Sequence, residues 1–119
     1  MLFVPCEVDG HLQTLFVDSG ASSSAMSSTM MRQLGLEHKL NKRFGGGQAN
    51  GVGSANMLGV LENVEITIGH VEFWLFFMVL EAPKPYLILG LDQMRRFKCL
   101  IDLNSNTLTF GGPDGVSVE

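Results

Sequence analysis

The sequence predicts a small all-β domain, a closed or sandwiched β fold that carries two short helices. First, apolar residues come in short runs, and several runs alternate between apolar and polar side chains as half-buried strands do. Second, turn-forming pairs such as Asp9-Gly10 separate these runs. Third, the chain has 119 residues, of which 45% are hydrophobic and 17% are charged, so it can bury one core but not two lobes.

Seven strands are predicted along the chain. Each is a run of apolar, β-branched or aromatic residues that ends at a turn-forming residue. The predicted strands cover residues 3–8, 11–17, 58–68, 71–81, 86–89, 99–103 and 107–110. The run at 71–81 is long and apolar, so we expect both of its faces to be covered and Trp74 to lie in the core.

Two short helices are predicted between the strands. Ser27 or Ser28 can cap a helix of about two turns. Gly35 stands where a left-handed residue is expected to end this helix. Asp92 can cap a second short helix that continues through Phe97.

Composition and charge exclude several classes of function. The net charge is −4, which does not support binding to nucleic acid. No apolar stretch reaches the ~18 residues that a membrane span needs. The three histidines, His11, His38 and His70, lack the spacing of metal ligands, so we expect no metal ion and no other cofactor.

The whole chain is predicted to be one domain, residues 1–119, with an ordered core at about 3–110 and a loose tail at 111–119. Cys6 and Cys99 are too few for a disulfide framework. We expect both to be reduced thiols in the core of an intracellular, cytoplasmic protein, with a nuclear location left open.

One carboxylate directly follows a predicted buried strand. The apolar run at 15–17 leads into Asp18, which precedes three small residues, Ser19, Gly20 and Ala21. Burying a carboxylate costs free energy unless hydrogen bonds hold it. We therefore expect Asp18 at the tip of a strand, in a tight loop formed by Ser19, Gly20 and Ala21. Ser19 offers a hydroxyl that can form a hydrogen bond nearby, and Gly20 permits the turn. Backbone N–H groups of the loop surround the carboxylate. A carboxylate that merely caps a turn is the alternative.

Two further stretches are candidates for the same site. Residues 86–89 form a short apolar run followed by Gly90, a pattern that partly repeats that of residues 15–20. We predict that Ile88, Leu89 and Gly90 form a second loop near the site. Residues 44–53 contain five glycines and predict a mobile loop or hairpin tip, or else a long disordered loop. Their spacing does not fit a phosphate-binding loop.

These motifs carry a resemblance. Asp18-Ser19-Gly20-Ala21 matches the Asp-Thr/Ser-Gly-Ala signature of aspartic proteases, and residues 86–92 match a second motif near the C-terminus. In this order, the two motifs resemble those of retroviral-type aspartic proteases. More closely, the chain resembles the protease-like domain of the DNA-damage-inducible family of ubiquitin–proteasome shuttle proteins, which residues 51–53 and 91–103 also match.

The resemblance implies the retroviral-protease fold and a polypeptide substrate linked to ubiquitin and the proteasome. It implies that Asp18 is catalytic and that residues 44–53 form a flap over an extended substrate. The flap residues expected to contact the substrate are Gly45, Gly46, Gly47, Gln48, Ala49, Asn50 and Gly51. This flap is poorer in apolar side chains than the flaps of the viral enzymes.

Peptide hydrolysis by carboxylates needs two of them, which share one proton and hold one water molecule. The chain has one Asp-Ser-Gly motif, and its other aspartates fall in a turn, a helix cap, a strand and the tail. We therefore expect a twofold-symmetric homodimer in which the Asp18 residues of two subunits meet at the axis. Two hypotheses remain, a homodimeric aspartic endopeptidase and a dimerisation and protein-binding module with little or no proteolysis.

Overall fold

The computed structural model describes residues 2–42, 48–49, 55–69, 71–102, 104–105, 107–110 and 116–118. The strands in these ranges are β1 (Leu2–Val8), β2 (His11–Val17), β3 (Ala25–Ser27), β4 (Gln48–Ala49), β5 (Ala55–Ile68), β6 (Val71–Leu80), β7 (Leu87–Leu89), β8 (Leu100–Asp102), β9 (Thr107–Phe110) and β10 (Val116–Val118). The helices are α1 (Ser28–Gln33), a 3-10 helix (Glu37–Lys39) and α2 (Leu91–Arg96). None of these helices is long and apolar enough to cross a membrane.

Six of the described strands close into a barrel. The order is β1, β2, β7, β3, β6 and β5, and β5 returns to β1 through the pairs Glu7–Thr67 and Val8–Ile66. The hairpins β1–β2 and β5–β6 are antiparallel, whereas β2–β7 and β3–β6 are parallel. The predicted all-β fold with two short α-helices is confirmed.

The barrel encloses one apolar core. In β1 the side chains alternate strictly between buried and exposed, as the two-residue period of a strand requires. The largest fully buried side chains include Phe77, Leu15, Met26, Leu61, Ile66, Leu75, Leu89 and Leu108.

Three phenylalanines join the small sheet β8–β9–β10 to the barrel. Phe73 of β6 lies 4.5 Å from Phe110 of β9 and 5.1 Å from Phe97, measured between ring centroids. Phe97 and Phe110 also meet edge to face, 6.3 Å apart. Aromatic pairs at these separations stabilise the contact beyond their buried area.

The first predicted hairpin and helix are confirmed in detail. Asp9 and Gly10 both have positive φ, +50° and +85°, which a tight two-residue hairpin turn favours. Ser27 is the N-cap of α1, and its hydroxyl accepts a hydrogen bond from Met30 N at 3.1 Å. Gly35 has φ +68° after that helix, as predicted.

The expectations for β6 and Trp74 are wrong. β6 alternates, with Phe73, Leu75 and Phe77 in the core and Glu72 exposed on the outer face. Trp74 is 51% exposed on that outer face, because no described element covers it. The apolar composition of β6 therefore does not mean that both of its faces are buried.

Three short strands differ from the predictions. β3 and β4 were not predicted, and β10 forms where a loose tail was expected. Val116–Val118 pairs with β9 from Phe110 to Leu108, so the prediction of a loose tail is wrong for these three residues. Residues 111–115 and 119, the rest of that predicted tail, lie outside the described residues.

Candidate active site

Asp18 directly follows β2, and β7 fixes its backbone. Phe16 lies opposite Ile88 and Val17 opposite Leu89 in this parallel pair. Asp18 N then donates a hydrogen bond to Leu89 O at 3.0 Å. Because parallel strands end at the same edge, the loops that follow β2 and β7 leave the barrel together.

The loop after β2 turns back on the Asp18 carboxylate. Gly20 N donates to Asp18 Oδ1 at 2.8 Å, and Ala21 N donates to Asp18 O at 3.2 Å. Asp18 and Ala21 are half-buried, whereas Ser19 and Gly20 are exposed. Asp18 thus lies at a strand tip and accepts a backbone hydrogen bond, as the sequence predicts. The carboxylate is bonded to Gly20 N–H and not to the Ser19 hydroxyl.

The loop after β7 packs directly against the loop after β2. Leu91 N donates to Ala21 O at 2.8 Å, and Asp92 N donates to Ser22 O at 3.1 Å. A Cβ atom on Gly90 would lie 2.6 Å from the carbonyl carbon of Ser23. Only glycine allows this close approach of two backbones. The structure therefore brings Ile88, Leu89 and Gly90 beside the Asp18 loop, as expected.

A buried serine that the sequence analysis did not single out joins the two loops. Ser24 is completely buried, and its Oγ accepts a hydrogen bond from Gly90 N at 2.8 Å. The same hydroxyl donates to Asp92 Oδ1 at 2.7 Å. The only sequence signal was its place among small polar residues between β2 and α1.

Asp92 is not the N-cap of α2, which corrects the sequence prediction. The N-cap is Gly90, and no side chain caps the helix there. Asp92 lies in the first turn, where its Oδ1 accepts from Gln93 N at 2.8 Å and from Ser24 N at 2.9 Å. The carboxylate thus crosses to the loop of Asp18, since that loop presents two donors to it.

A chain of polar contacts continues from Asp92 to β6. The buried Gln93 amide donates to Asp92 Oδ2 at 3.4 Å. Arg96 Nη1 donates to Gln93 Oε1 at 3.3 Å and to Trp74 O at 3.0 Å. The guanidinium also lies over the Phe97 ring, 4.8 Å from its centroid.

Part of the predicted flap is described. Gln48 pairs with Asn56 and Ala49 with Ala55 in antiparallel β4 and β5. The remaining predicted flap residues, Gly45, Gly46, Gly47, Asn50 and Gly51, lie outside the described residues.

The described residues provide no alternative centre of catalysis built on metal or thiol. They contain no group of three or more histidine, cysteine or acidic side chains that could hold a metal ion. Burial raises the pKa of the Cys6 and Cys99 thiols to about 11, so both are protonated at neutral pH and poor nucleophiles. The Asp18 carboxylate, which Gly20 N orients, can accept or donate a proton.

Comparison with known proteins agrees with this geometry. A sequence model of the family described as aspartyl protease matches residues 1–102. DNA damage-inducible protein 1 of Cryptococcus neoformans is 41% identical over 108 residues, which are 91% of this chain and 25% of that protein. The UBA domain-containing protein Mud1 of Schizosaccharomyces pombe is 39% identical over 114 residues, 96% of this chain and 34% of that protein. The chain thus spans about a quarter to a third of the curated relatives it matches.

A solved structure extends the likeness to three dimensions. The retroviral protease-like domain of Ddi1 from Leishmania major has a TM-score of 0.86 and 35% identity to this chain, and the match covers 99% of this chain and 91% of that one. The resemblance stated from the sequence motifs is confirmed in both sequence and fold. The chain therefore belongs to the aspartyl protease family, among the retroviral-type domains of the DNA-damage-inducible kind.

Proposed function

We propose that this domain acts as a homodimeric aspartic endopeptidase in which Asp18 is the catalytic residue. The observation that supports it best is the placement of Asp18. It is a half-buried carboxylate at the tip of β2, oriented by Gly20 N–H at 2.8 Å and held between two loops that pack on each other. A carboxylate that only capped a turn would not need the second loop.

The mechanism follows from the chemistry of paired carboxylates. Two Asp18 carboxyl groups, one from each subunit, share a proton because two charges about 3 Å apart cannot both ionise. The ionised group takes a proton from a water molecule, whose oxygen attacks the scissile carbonyl carbon. The protonated group donates its proton to the carbonyl oxygen, which gives a tetrahedral diol. The first carboxyl group then gives the proton it took from water to the nitrogen, and the second takes a proton from one hydroxyl of the diol as the C–N bond breaks and the amine leaves. No metal ion or cofactor enters any step.

Apolar side chains beside Asp18 support a preference for apolar substrate residues. Phe16 and Ile88 pair on the outer face of the barrel, next to Asp18 and Gly90, and both are half-buried. Phe3 is 59% exposed and lies 5.0 Å from Phe16 between ring centroids. In this proposal an extended peptide adds a strand between this face and the predicted flap at residues 45–51.

The relatives suggest the substrate class. One is named for DNA damage induction and another for a UBA domain. The proposed substrates are proteins linked to the ubiquitin–proteasome pathway in the cytoplasm, with the nucleus as a further location. Ubiquitin-binding modules of a longer parent protein would deliver them to this domain.

Cleavage of a mixed peptide library at about pH 4–6 tests the proposal, since a shared-proton dyad works best in this acidic range. The Asp18→Asn variant keeps an oxygen that can accept the Gly20 hydrogen bond but cannot serve as acid or base. We expect it to lower kcat by about 10²–10⁴-fold or more while leaving the dimer folded.

The controls separate the two hypotheses. A statine-type aspartic protease inhibitor should block the wild-type cleavage, and sedimentation should show that both proteins are dimers. A wild-type dimer that cleaves nothing would favour the alternative function, a dimerisation and protein-binding module. Loss of the dimer in Asp18→Asn would assign Asp18 a structural role.

A further inference from the structure

The Asp92 carboxylate makes contacts that a helix cap does not need. Its Oδ1 atom accepts three hydrogen bonds, of which only the one from Gln93 N serves α2. The other two come from the backbone N–H and the hydroxyl of Ser24, at 2.9 Å and 2.7 Å. Half of the four hydrogen bonds that this carboxylate accepts therefore come from the loop that carries Asp18, and the other two come from Gln93.

We propose that Asp92 is a positioning residue for Asp18, acting through Ser24 and Gly90. This inference rests on the proposed function and adds to it a residue that sets the geometry of the reacting carboxylate. Asp92 does not touch the substrate or the water molecule. It orients the Ser24 hydroxyl, and that hydroxyl fixes the backbone that holds Asp18.

The direction of the hydrogen bonds supports this order of action. Ser24 Oγ has a single proton, which it donates to Asp92 Oδ1 at 2.7 Å. The lone pairs of Oγ therefore face Gly90 N–H, which donates to them at 2.8 Å. Without Asp92, the hydroxyl of this completely buried serine would lack an acceptor, and leaving a buried donor unpaired is costly.

The held segment touches Asp18 from both sides. Leu89, the residue before Gly90, accepts the hydrogen bond from Asp18 N at 3.0 Å. Leu91, the residue after Gly90, donates to Ala21 O, and Ala21 N in turn donates to Asp18 O. A shift of Gly90 must therefore move both anchors of the Asp18 backbone. A misplacement of about 1 Å at a reacting group can cost ~10²-fold in rate.

The packing leaves Gly90 little other freedom. A Cβ atom on Gly90 would lie 2.6 Å, 2.7 Å and 2.9 Å from the nearest backbone atoms of Ser23 and Ala21. The two loops are thus in contact at Gly90, and the hydrogen bond between Ser24 and Asp92 also links them.

The test compares Asp92→Ala and Ser24→Ala with Asp92→Asn in the full chain as a dimer. Both alanine variants should lower kcat by ~10²-fold with little change in KM, because the substrate surface stays intact. Asp92→Asn keeps an acceptor for the Ser24 hydroxyl and should restore most of kcat. The matched control is Asp102→Ala, since Asp102 also accepts two backbone hydrogen bonds, from Asn104 and Ser105, but lies at the exposed end of β8.

A second readout does not depend on activity. The carboxyl carbon of Asp18 and the amide proton of Gly20, which donates to that carboxylate, are followed by NMR. The alanine variants should move both signals, since a displaced carboxylate changes the hydrogen bond that Gly20 N–H makes to it. Asp102→Ala should leave both signals unchanged.

The outcomes separate this inference from the proposed function. Folded Asp92→Ala and Ser24→Ala dimers with wild-type kcat and wild-type Asp18 and Gly20 signals would overturn the positioning role. If the wild type cleaves nothing, the proposed function fails, and the Gly20 amide signal still decides whether Asp92 positions Asp18. If Asp92→Ala does not fold, Ser24→Ala, which removes only one hydroxyl, decides on the same readouts.

Discussion

Asp18 is placed by groups from two loops rather than by its own neighbours alone. Gly20 N orients the carboxylate, and Leu89 O holds the backbone N–H of the same residue. Ala21 then bonds both to Asp18 and to Leu91 of the second loop. Each partner is a backbone group, and an Asn at position 18 keeps a side-chain oxygen that can accept the hydrogen bond from Gly20 N. This is why Asp18→Asn is a clean test of the chemistry.

The buried thiol of Cys6 makes stability depend on pH. Burial raises its pKa from 9.0 to about 11. The unfolded chain loses this proton as the pH rises past 9.0, whereas the folded chain keeps it until about 11. The folded state binds more protons between these values, so its stability is complete below 9 and falls as the pH rises toward 11.

We therefore expect the Tm to fall when the pH is raised from about 8 to about 10.5, and to fall less steeply in Cys6→Ala. The measurement is thermal unfolding across this range under reducing conditions. Tyr86, whose pKa burial also raises, contributes to the fall in both proteins. Curves for wild type and Cys6→Ala that run parallel would show that Cys6 does not contribute.

Asp18 could be identified from the sequence, but the residues that hold its loop, Ser24 and Asp92, could not. Asp18 follows an apolar run and precedes three small residues, so local chemistry marks it. Ser24 and Asp92 meet across a separation of 68 positions. No local pattern encodes such a contact, and a serine among serines gives no sign that it is buried. Asp92 was accordingly interpreted as a local helix cap.

At the scale of elements, β6 shows how a one-sided strand can have an apolar composition. Phe77 is completely buried inside the barrel, while Trp74 on the opposite face is 51% exposed. Trp74 lies opposite Glu65 of β5. The hydrogen bond from Arg96 to Trp74 goes to the backbone oxygen of Trp74. The side chain of Trp74 therefore contributes less to the core than its size suggests.

Alanine substitutions on the two faces of β6 test this orientation. Phe77→Ala leaves a cavity in the core and should lower the free energy of unfolding by about 3–5 kcal/mol. Trp74→Ala, the matched control on the same strand, should lower it by about 1 kcal/mol or less. Chemical denaturation gives both values. Equal losses would contradict the assignment of inner and outer faces.

Long strands were predictable, but the shortest strands were not. The hairpins β1–β2 and β5–β6 have apolar periodicity and marked turns, so local sequence suffices. β3 has three residues, Ala25–Ser27, and gains its strand form by pairing with both β6 and β7. β10 likewise depends on β9. Tertiary pairing, not propensity, creates these two strands.

At the scale of the whole molecule, barrel closure gathers the candidate site at one end. Because β2 and β7 are parallel neighbours, the Asp18 loop and the Gly90 loop emerge side by side. The chain order alone could not predict this, since β3, β4, β5 and β6 lie between the two strands along the chain. The family resemblance implied that the two motifs belong to one site, and the hydrogen bonds between the two loops hold them side by side.

The proposed dimer predicts how mixtures of chains behave. If two Asp18 carboxylates form one site, a dimer of wild type with Asp18→Asn is inactive or nearly so, and only wild-type pairs cleave peptides. With random exchange, the activity per wild-type chain equals the fraction of wild-type chains. Equal amounts should therefore leave roughly half of the activity per wild-type chain.

The measurement is peptide cleavage after the two proteins have equilibrated, at a total concentration where sedimentation shows only dimers. An inert protein added in the same amount controls for dilution and crowding, and Asp102→Ala, an active partner, should restore full activity per competent chain. Activity per wild-type chain that stays constant as Asp18→Asn is added would mean that each chain carries a complete site, which one carboxylate per chain does not explain.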